Sequence, residues 1–220
     1  MNNPGTPTSV MLLPHLSPDR LSTYLRHCNN DIDLAVALYE WNTSISAAMW
    51  ETLGHVEVVV RNTIATRLAG RHARLKRPRT WIDDPAGDLD GRATADIADA
   101  RTRLQAKGKP ATEGQIISEL NFGFWRFLVA RRYQTTLWPT LAGGFRHAPN
   151  RAIAGVEDPL RRLHDFRNRL AHHERVWNLD LQGRYNDMLD LLGYVDPAVR
   201  AWAEGTSRVT AVMQARPDGV

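Results

Sequence analysis

The chain has 220 residues, of which 43% are hydrophobic and 24% are charged. This size and composition are typical of one ordinary globular domain, and they exclude an intrinsically disordered or fibrous protein. The 28 Lys and Arg against 24 Asp and Glu leave a formal charge of +4, which favours an anionic partner.

The single cysteine, Cys28, excludes an internal disulfide and a cysteine-rich zinc cluster, which indicates a reducing compartment. No apolar run approaches the roughly 20 residues that a membrane-spanning helix needs. The first residues also lack the basic segment followed by an apolar stretch that is typical of a secretory signal. We therefore expect a cytoplasmic protein with no membrane partner.

Helix-start signals predict an all-α fold. Ser17-Pro18 and Asp196-Pro197 each place a capping residue before proline, and Thr112 to Gln115 is typical of a capping box. No hairpin turn lies between alternating apolar runs. Helices are predicted at 18–28, 31–50, 52–72, 92–106, 113–133, 151–174, 182–193 and 197–213, with the second and third as separate helices or one long kinked helix.

Two loops and two flexible termini complete the predicted organisation. Proline, glycine and acidic residues predict loops at 71–91 and 139–150. We expect a flexible N-terminal segment over 1–15, a single helical domain over 16–214 and a flexible tail over 215–220.

Polar residues interrupt an apolar helix in the middle of the chain. The run from Leu53 to Leu68 has almost no polar side, so we expect it to be largely buried. Asn42, Ser46, Glu57 and Arg61 fall within about 100° of one another on a helical projection. Glu57 and Arg61 are four residues apart and are able to pair with each other. The alternative is that this polar stripe faces another polar group in the core, because unpaired buried charges are costly.

A second anomaly lies in the helix predicted at 151–174. Arg167 projects about 50° from the centre of the apolar stripe, so it is directed towards the interior. It needs an acid or a phosphate as partner, and Glu57 is the candidate acid. Asn168 and His172, four residues apart, share a face. The stripe consists of Leu160, Leu163, Phe166 and Leu170.

Arginine and histidine suit metal-free phosphodiester chemistry. The Arg167 guanidinium can hold a phosphate in two hydrogen bonds, and His172 can move a proton near neutral pH. On one helix the two project about 140° apart, so a symmetric homodimer would bring both pairs to a common cleft. The run His172-His173-Glu174 lacks the spacing of the zinc-binding His-Glu-x-x-His motif, so no metal is predicted.

The segment Arg167-Asn168-Arg169-Leu170-Ala171-His172 resembles the R-N-x-x-x-H signature of the HEPN superfamily, in its Abi-like (abortive infection) branch. Three further segments are similar to that branch and extend the resemblance over roughly 40–175. They are Trp41-Asn42 with Ser46, Glu57 to Asn62, and Glu119 to Trp125.

The resemblance implies an all-α, HEPN-like helical bundle with additional helices, usually dimeric. It implies a metal-independent endoribonuclease, without cofactor, that acts in phage defence or as a toxin. Arg167 and His172 match the catalytic pair, and Asn168, with His173, would orient or assist. His173 also satisfies the looser spacing of the superfamily, so the working histidine is either of the two. Glu57 and Arg61 complete the supporting residues.

Basic residues indicate where RNA would bind. The stretch from Arg61 to Arg79 contains no acid and could follow an RNA backbone. The equally favoured alternative is a solvated helix end whose cations suit the helix dipole. The predicted RNA-binding residues are Arg71, Arg74, Lys76, Arg77 and Arg79.

A second basic group interleaves arginines with aromatic residues. It could form another binding surface, although the aromatic side chains are more typical of core. The group consists of Arg126, Arg131 and Arg132 with Phe124, Trp125, Phe127 and Tyr133.

Two functions remain open from the sequence. The first is a HEPN endoribonuclease whose site is built by Arg167 and His172 of two copies. The second is a non-catalytic RNA-binding or partner-binding module in a defence operon. The expected partners are RNA and a second copy of the chain, with an antitoxin or a non-coding RNA as the kind of regulator that such systems use.

Overall fold

The computed structural model describes Leu12 and residues 15–220. This part of the chain is all-α, with ten α-helices and no strand. Apart from Leu12 and His15, the predicted flexible segment 1–15 lies outside the described residues. The helices are α1 (Pro18–His27), α2 (Ile32–Arg74), α3 (Gly91–Ala106), α4 (Glu113–Glu119), α5 (Phe122–Leu128), α6 (Trp138–Leu141), α7 (Ile153–Ala171), α8 (Leu181–Val195), α9 (Pro197–Thr206) and α10 (Val209–Gln214).

The predicted helix starts are confirmed by their capping contacts. The side chains of Ser17, Thr112 and Asp196 accept hydrogen bonds from backbone N–H groups of the first helical turn, at 3.3, 3.4 and 2.8 Å. Each contact satisfies one N–H that has no partner within its helix. Three short 3₁₀ helices lie between the α-helices, at Trp81–Asp83, Arg131–Tyr133 and Pro149–Arg151.

Two predicted helices are broken, and one open alternative is decided. The sequence left 31–50 and 52–72 as separate helices or one long helix, and the structure has the single helix, α2, which is continuous over 43 residues. The helix expected at 113–133 is broken, because Leu120 is extended and the Asn121 side chain accepts a hydrogen bond from the backbone N–H of Phe124 at 3.0 Å, which starts α5. The helix expected at 197–213 is likewise broken, between α9 and α10.

The chain forms two compact units. The first contains the described residues up to 51, residues 169–181 and residues 207–220. Its core is aromatic: the Tyr24 ring lies 6.0 Å from the Trp177 ring, and the Trp41 indole N–H donates to the Val212 carbonyl at 2.7 Å. Burial raises the pKa of Tyr24 to about 12. These contacts attach α10 and residues 169–181 to α1 and to the start of α2.

The second unit contains residues 52–168 and 182–206. Its largest buried side chains include Trp125 and Phe124, whose rings meet edge to face at 4.9 Å. Arg162 on α7 binds Asp187 on α8 through two hydrogen bonds of 2.8 and 2.6 Å, so a bidentate ion pair joins these two helices. The single domain over 16–214 and the flexible tail over 215–220 stay predictions.

Candidate functional site

Arg167 lies on α7 and contacts Glu57 on α2, both within the second unit. The Arg167 Nε is 3.3 Å from the Glu57 Oε1, and about a third of each side chain is exposed, 33% and 31%. Arg61 instead donates from Nε to the side-chain oxygen of Asn62 at 3.2 Å. Of the two partners that the sequence offered to Glu57, the structure therefore selects Arg167.

The surroundings of Glu57 are less buried than the sequence predicts. Val56 and Val60 are fully buried, as expected, but Val58 is 45% exposed. The expectation that the run from Leu53 to Leu68 is largely buried is therefore wrong on one face. This face also carries Glu57 and Arg61, both half-buried, which is why their charges are tolerated without a fully enclosed partner.

Helix α7 ends earlier than the sequence predicts, before the two histidines of the signature. The helix ends at Ala171, not at 174, and residues 172 and 173 form a turn. His173 has φ of +52°, its N–H donates to the Leu170 carbonyl at 3.1 Å, and the Glu174 N–H donates to the Arg169 carbonyl at 2.9 Å. This is a Schellman motif with histidine where glycine is usual. A projection of 100° per residue therefore does not extend to His173, whose φ is not helical.

The histidines and Asn168 are accessible. Asn168 is exposed on α7, in the second unit, while His172 and His173 are exposed in the first unit. The Arg20 guanidinium donates to the His173 carbonyl, which fixes the backbone of the turn. The predicted core stripe of α7 is confirmed, because Leu160, Leu163, Phe166 and Leu170 are all buried.

A cavity of about 410 Å³ lies beside this turn, within the first unit. His173 lines it together with Arg20 and Arg175, and the Arg175 guanidinium donates to the Thr23 hydroxyl at 3.0 Å. Arg169, also in the lining, is 3.6 Å from the Glu174 carboxylate. Each of these guanidinium groups thus already has an acceptor within the unit.

The basic stretch from Arg61 to Arg79 is acid-free in sequence but not in space. Asp88 accepts hydrogen bonds from Arg71, one of them at 3.2 Å, and from Arg77. The Arg71 hydrogen bond, followed by that of Arg77, holds the pKa of Asp88 below its usual value. Of the basic residues in this stretch, three are exposed: Arg74, Lys76 and Arg79.

A second arginine cluster surrounds Phe127 in the second unit. The guanidinium carbons of Arg92, Arg126 and Arg132 lie 3.5, 4.3 and 5.4 Å from the centroid of the Phe127 ring. The other aromatic side chains that the sequence grouped here, Phe124, Trp125 and Tyr133, are buried core residues, as predicted. Sequence reasoning missed Arg92, because it lies 35 positions from Phe127 and only the packing of α3 on α5 brings them together.

His164 is a further residue that sequence reasoning missed. Its ring lies between Phe122 and Phe127, with centroids 6.4 and 6.3 Å away. Burial lowers the pKa of His164, and the charges of Arg126 and Arg167 lower it further. The Asp165 carboxylate, 3.6 Å from the His164 Nδ1, opposes these shifts in part.

In the described part of the chain, no helix is long and apolar enough to cross a membrane. Nor do three or more His, Cys, Asp or Glu side chains converge there in a metal-binding arrangement. No family model, no curated protein and no solved structure matches this chain.

Proposed function

We propose that this protein is a metal-independent endoribonuclease of the HEPN type, acting in phage defence or as a toxin. The observation that carries the proposal is the state of Arg167. This arginine begins the R-N-x-x-x-H sequence, Glu57 holds it at 3.3 Å, and a third of its side chain is at the surface. A guanidinium that a carboxylate helps to orient and that is still accessible is suited to bind a phosphate.

The proposed reaction is cleavage of RNA by its own 2′-hydroxyl. The 2′-oxygen attacks the adjacent phosphorus, the bond from phosphorus to the 5′-oxygen breaks, and a 2′,3′-cyclic phosphate and a 5′-hydroxyl remain. Arg167 binds the non-bridging oxygens and stabilises the charge that develops on them. His172 takes the proton from the 2′-hydroxyl or delivers one to the 5′-oxygen.

A second copy of the chain would supply the other half of this chemistry. One histidine cannot act as base and acid in the same step, whereas two copies facing each other provide two histidines and two arginines around one phosphate. Asn168, exposed next to Arg167, is available to orient the substrate. Glu57 is a positioning residue, because it acts on the substrate only through Arg167.

The Glu57 contact also supports a second candidate function. A carboxylate 3.3 Å from the Arg167 Nε competes with an incoming phosphate for the same guanidinium. If this pair persists when RNA binds, Arg167 is a structural residue, and the protein is a non-catalytic RNA-binding or partner-binding module of the same family. The two functions differ in whether Arg167 affects the chemical step.

The test is cleavage of single-stranded RNA in EDTA by purified variants. Arg167→Lys keeps the positive charge but loses the two-pronged geometry, and Arg162→Lys is its matched control, because Arg162 is exposed to a similar extent, 37%, and also binds a carboxylate. His172→Ala is paired with His147→Ala, which removes another exposed histidine. We expect Arg167→Lys and His172→Ala to lower kcat by roughly 10²- to 10³-fold, and both controls to cleave like wild type.

The working histidine is assigned by changing position 173 to glycine. Glycine suits the φ of +52° there, whereas alanine would add backbone strain to the loss of the imidazole. Retained cleavage in His173→Gly, together with loss in His172→Ala, assigns the role to His172. Equal cleavage by wild type, Arg167→Lys and His172→Ala would refute the ribonuclease proposal. Sedimentation of a strict monomer at micromolar concentration would refute the two-copy site.

A further inference from the structure

The cluster around Phe127 gathers positive charge that the protein itself does not fully balance. The three guanidinium carbons all lie within 5.4 Å of one point, the centre of the Phe127 ring. Arg132 is paired with Asp90. Within the described residues, no carboxylate oxygen lies within 4.0 Å of Arg92 or Arg126. Two of the three cations therefore contact the Phe127 ring without an ion pair.

Arg126 is the more constrained of these two cations. Its Nε is buried and has no hydrogen-bond acceptor among the described residues. Burial lowers its pKa; the charges of Asp165 and Glu157 oppose this shift in part, while those of Arg161 and Arg92 add to it. Contact with the Phe127 ring recovers part of the lost hydration, but a ring face accepts no conventional hydrogen bond. An added anion would relieve both the mutual repulsion and the missing acceptor.

The cluster is also connected to the candidate catalytic arginine within the same unit. Phe127 contacts the His164 ring at 6.3 Å, and His164 precedes Arg167 by three residues on α7, so these two lie about one helical turn apart. The charges of both Arg126 and Arg167 act on His164. Basic and aromatic side chains thus continue from Arg167 through His164 to Phe127 and Arg92.

We propose that Arg92 and Arg126, on the Phe127 ring, bind a backbone phosphate of the RNA strand that flanks the phosphate held at Arg167. The RNA nature of the ligand rests on the proposed function, whereas the anion site rests on the cluster itself. Guanidinium groups match the geometry of phosphate oxygens in two hydrogen bonds.

The test measures binding apart from cleavage. A fluorescent single-stranded RNA with 2′-O-methyl groups cannot undergo 2′-hydroxyl attack, so its anisotropy reports affinity alone. The variants are Arg92→Gln and Arg126→Gln, and the matched control is Arg146→Gln, which removes an exposed arginine of the same unit that lies outside the cluster. We expect each of the two variants to weaken binding about 3- to 10-fold at low salt, and the control to bind like wild type.

Salt dependence supplies a second readout that loss of stability would not produce. For a single strand, each phosphate contact contributes about 0.7 to the slope of log affinity against log salt concentration, so Arg92→Gln should lower the slope by about that amount. Unchanged affinity and slope in both Arg92→Gln and Arg126→Gln would overturn the proposal. A site that binds only free anions would also overturn it. In that case pyrophosphate would stabilise wild type, Arg92→Gln would abolish this stabilisation, and RNA binding would be the same in both proteins.

The proposed function and this inference fail separately. Under the proposed function, Arg167→Lys removes cleavage but leaves Arg92 and Arg126 in place. The double variant Arg167→Lys with Arg92→Gln should therefore bind RNA more weakly than Arg167→Lys alone. If wild type never cleaves RNA but binds it through Arg92, the ribonuclease proposal is refuted and the phosphate site stands. If it cleaves through Arg167 and binding ignores Arg92, the reverse holds.

Discussion

Asn42 links α2 to the segment that follows the signature, within the first unit. Its side-chain oxygen accepts hydrogen bonds from the backbone N–H groups of Val176 and Trp177, at 2.8 and 3.0 Å. Asn42 is 6% exposed, and Val176 and Trp177 are buried as well. Replacing Asn42 with alanine leaves two buried N–H groups without this acceptor. At about 1–3 kcal/mol for each of the two unsatisfied groups, the free energy of unfolding should fall by about 2–6 kcal/mol.

The measurement is urea unfolding followed by circular dichroism at pH 7. Asn62→Ala is the matched control, because it makes the same change at an exposed position of the same helix, and it should shift the free energy of unfolding by less than about 0.5 kcal/mol. Asn42→Asp keeps an acceptor oxygen for the same N–H groups, but it introduces a buried negative charge. Its stability should therefore lie below wild type, and the two N–H groups should stay protected from hydrogen exchange.

Two results would refute this reasoning. The first is an Asn42→Ala variant that is as stable as Asn62→Ala, because the two buried hydrogen bonds would then contribute nothing. The second is unchanged hydrogen-exchange protection of the Val176 and Trp177 amides in Asn42→Ala, which would show that another group satisfies them.

Three further predictions concern stability. His173→Gly should raise the free energy of unfolding by about 0.5–1 kcal/mol in a urea titration, because glycine adopts a φ of +52° without strain; a lower stability would contradict the strain. Asp88→Asn should cost about 1–3 kcal/mol at pH 7, since Asp88 accepts from two guanidinium groups. Because folding lowers the pKa of Asp88, its contribution is complete above the unfolded pKa of about 4 and is lost as the pH falls through the folded value, so the gap between wild type and Asp88→Asn in thermal unfolding should close on acidification. Gly54→Ala should raise the free energy of unfolding by up to about 1 kcal/mol, since nothing lies within 4 Å of the added carbon in the helix. Gly144→Ala should lower it by about 1–3 kcal/mol, because the added carbon would lie 2.5 Å from the Thr63 methyl carbon. Equal melting temperatures for these two variants would contradict both predictions.

Local sequence signals predicted the helical class and most helix starts. Capping at Ser17, Thr112 and Asp196 depends on residues within one turn, and for that reason it is readable from the sequence. The break at Asn121 carries a comparable signal, an Asn before an apolar run, but the surrounding helical periodicity hid it. The end of α7 carries no such signal, because a histidine rather than a glycine adopts the left-handed conformation there.

One contact at the candidate site was predictable from the sequence, whereas the contacts of the basic residues were not. The amphipathic pattern of α7 directed Arg167 towards an acid, and the pairing with Glu57 agrees with that expectation. The partners of Arg71 and Arg77 could not be read from the stretch itself, because Asp88 reaches them from a loop 11 residues beyond Arg77. The place of Arg92 beside Phe127 depends wholly on tertiary packing.

The Asp88 ion pairs would limit how many counterions the stretch from Arg61 to Arg79 could displace from a bound nucleic acid. If all five predicted RNA-binding residues were free, log affinity for a single strand would fall against log salt concentration with a slope of about 3.5. With Arg74, Lys76 and Arg79 alone, the slope would be about 2. Affinity at this surface would then fall by less than a factor of about 20 between 50 and 200 mM salt. Under the proposed function, one aspartate would thereby set part of the balance between sequence-independent attraction and recognition elsewhere, and Asp88→Asn would shift it towards indiscriminate binding.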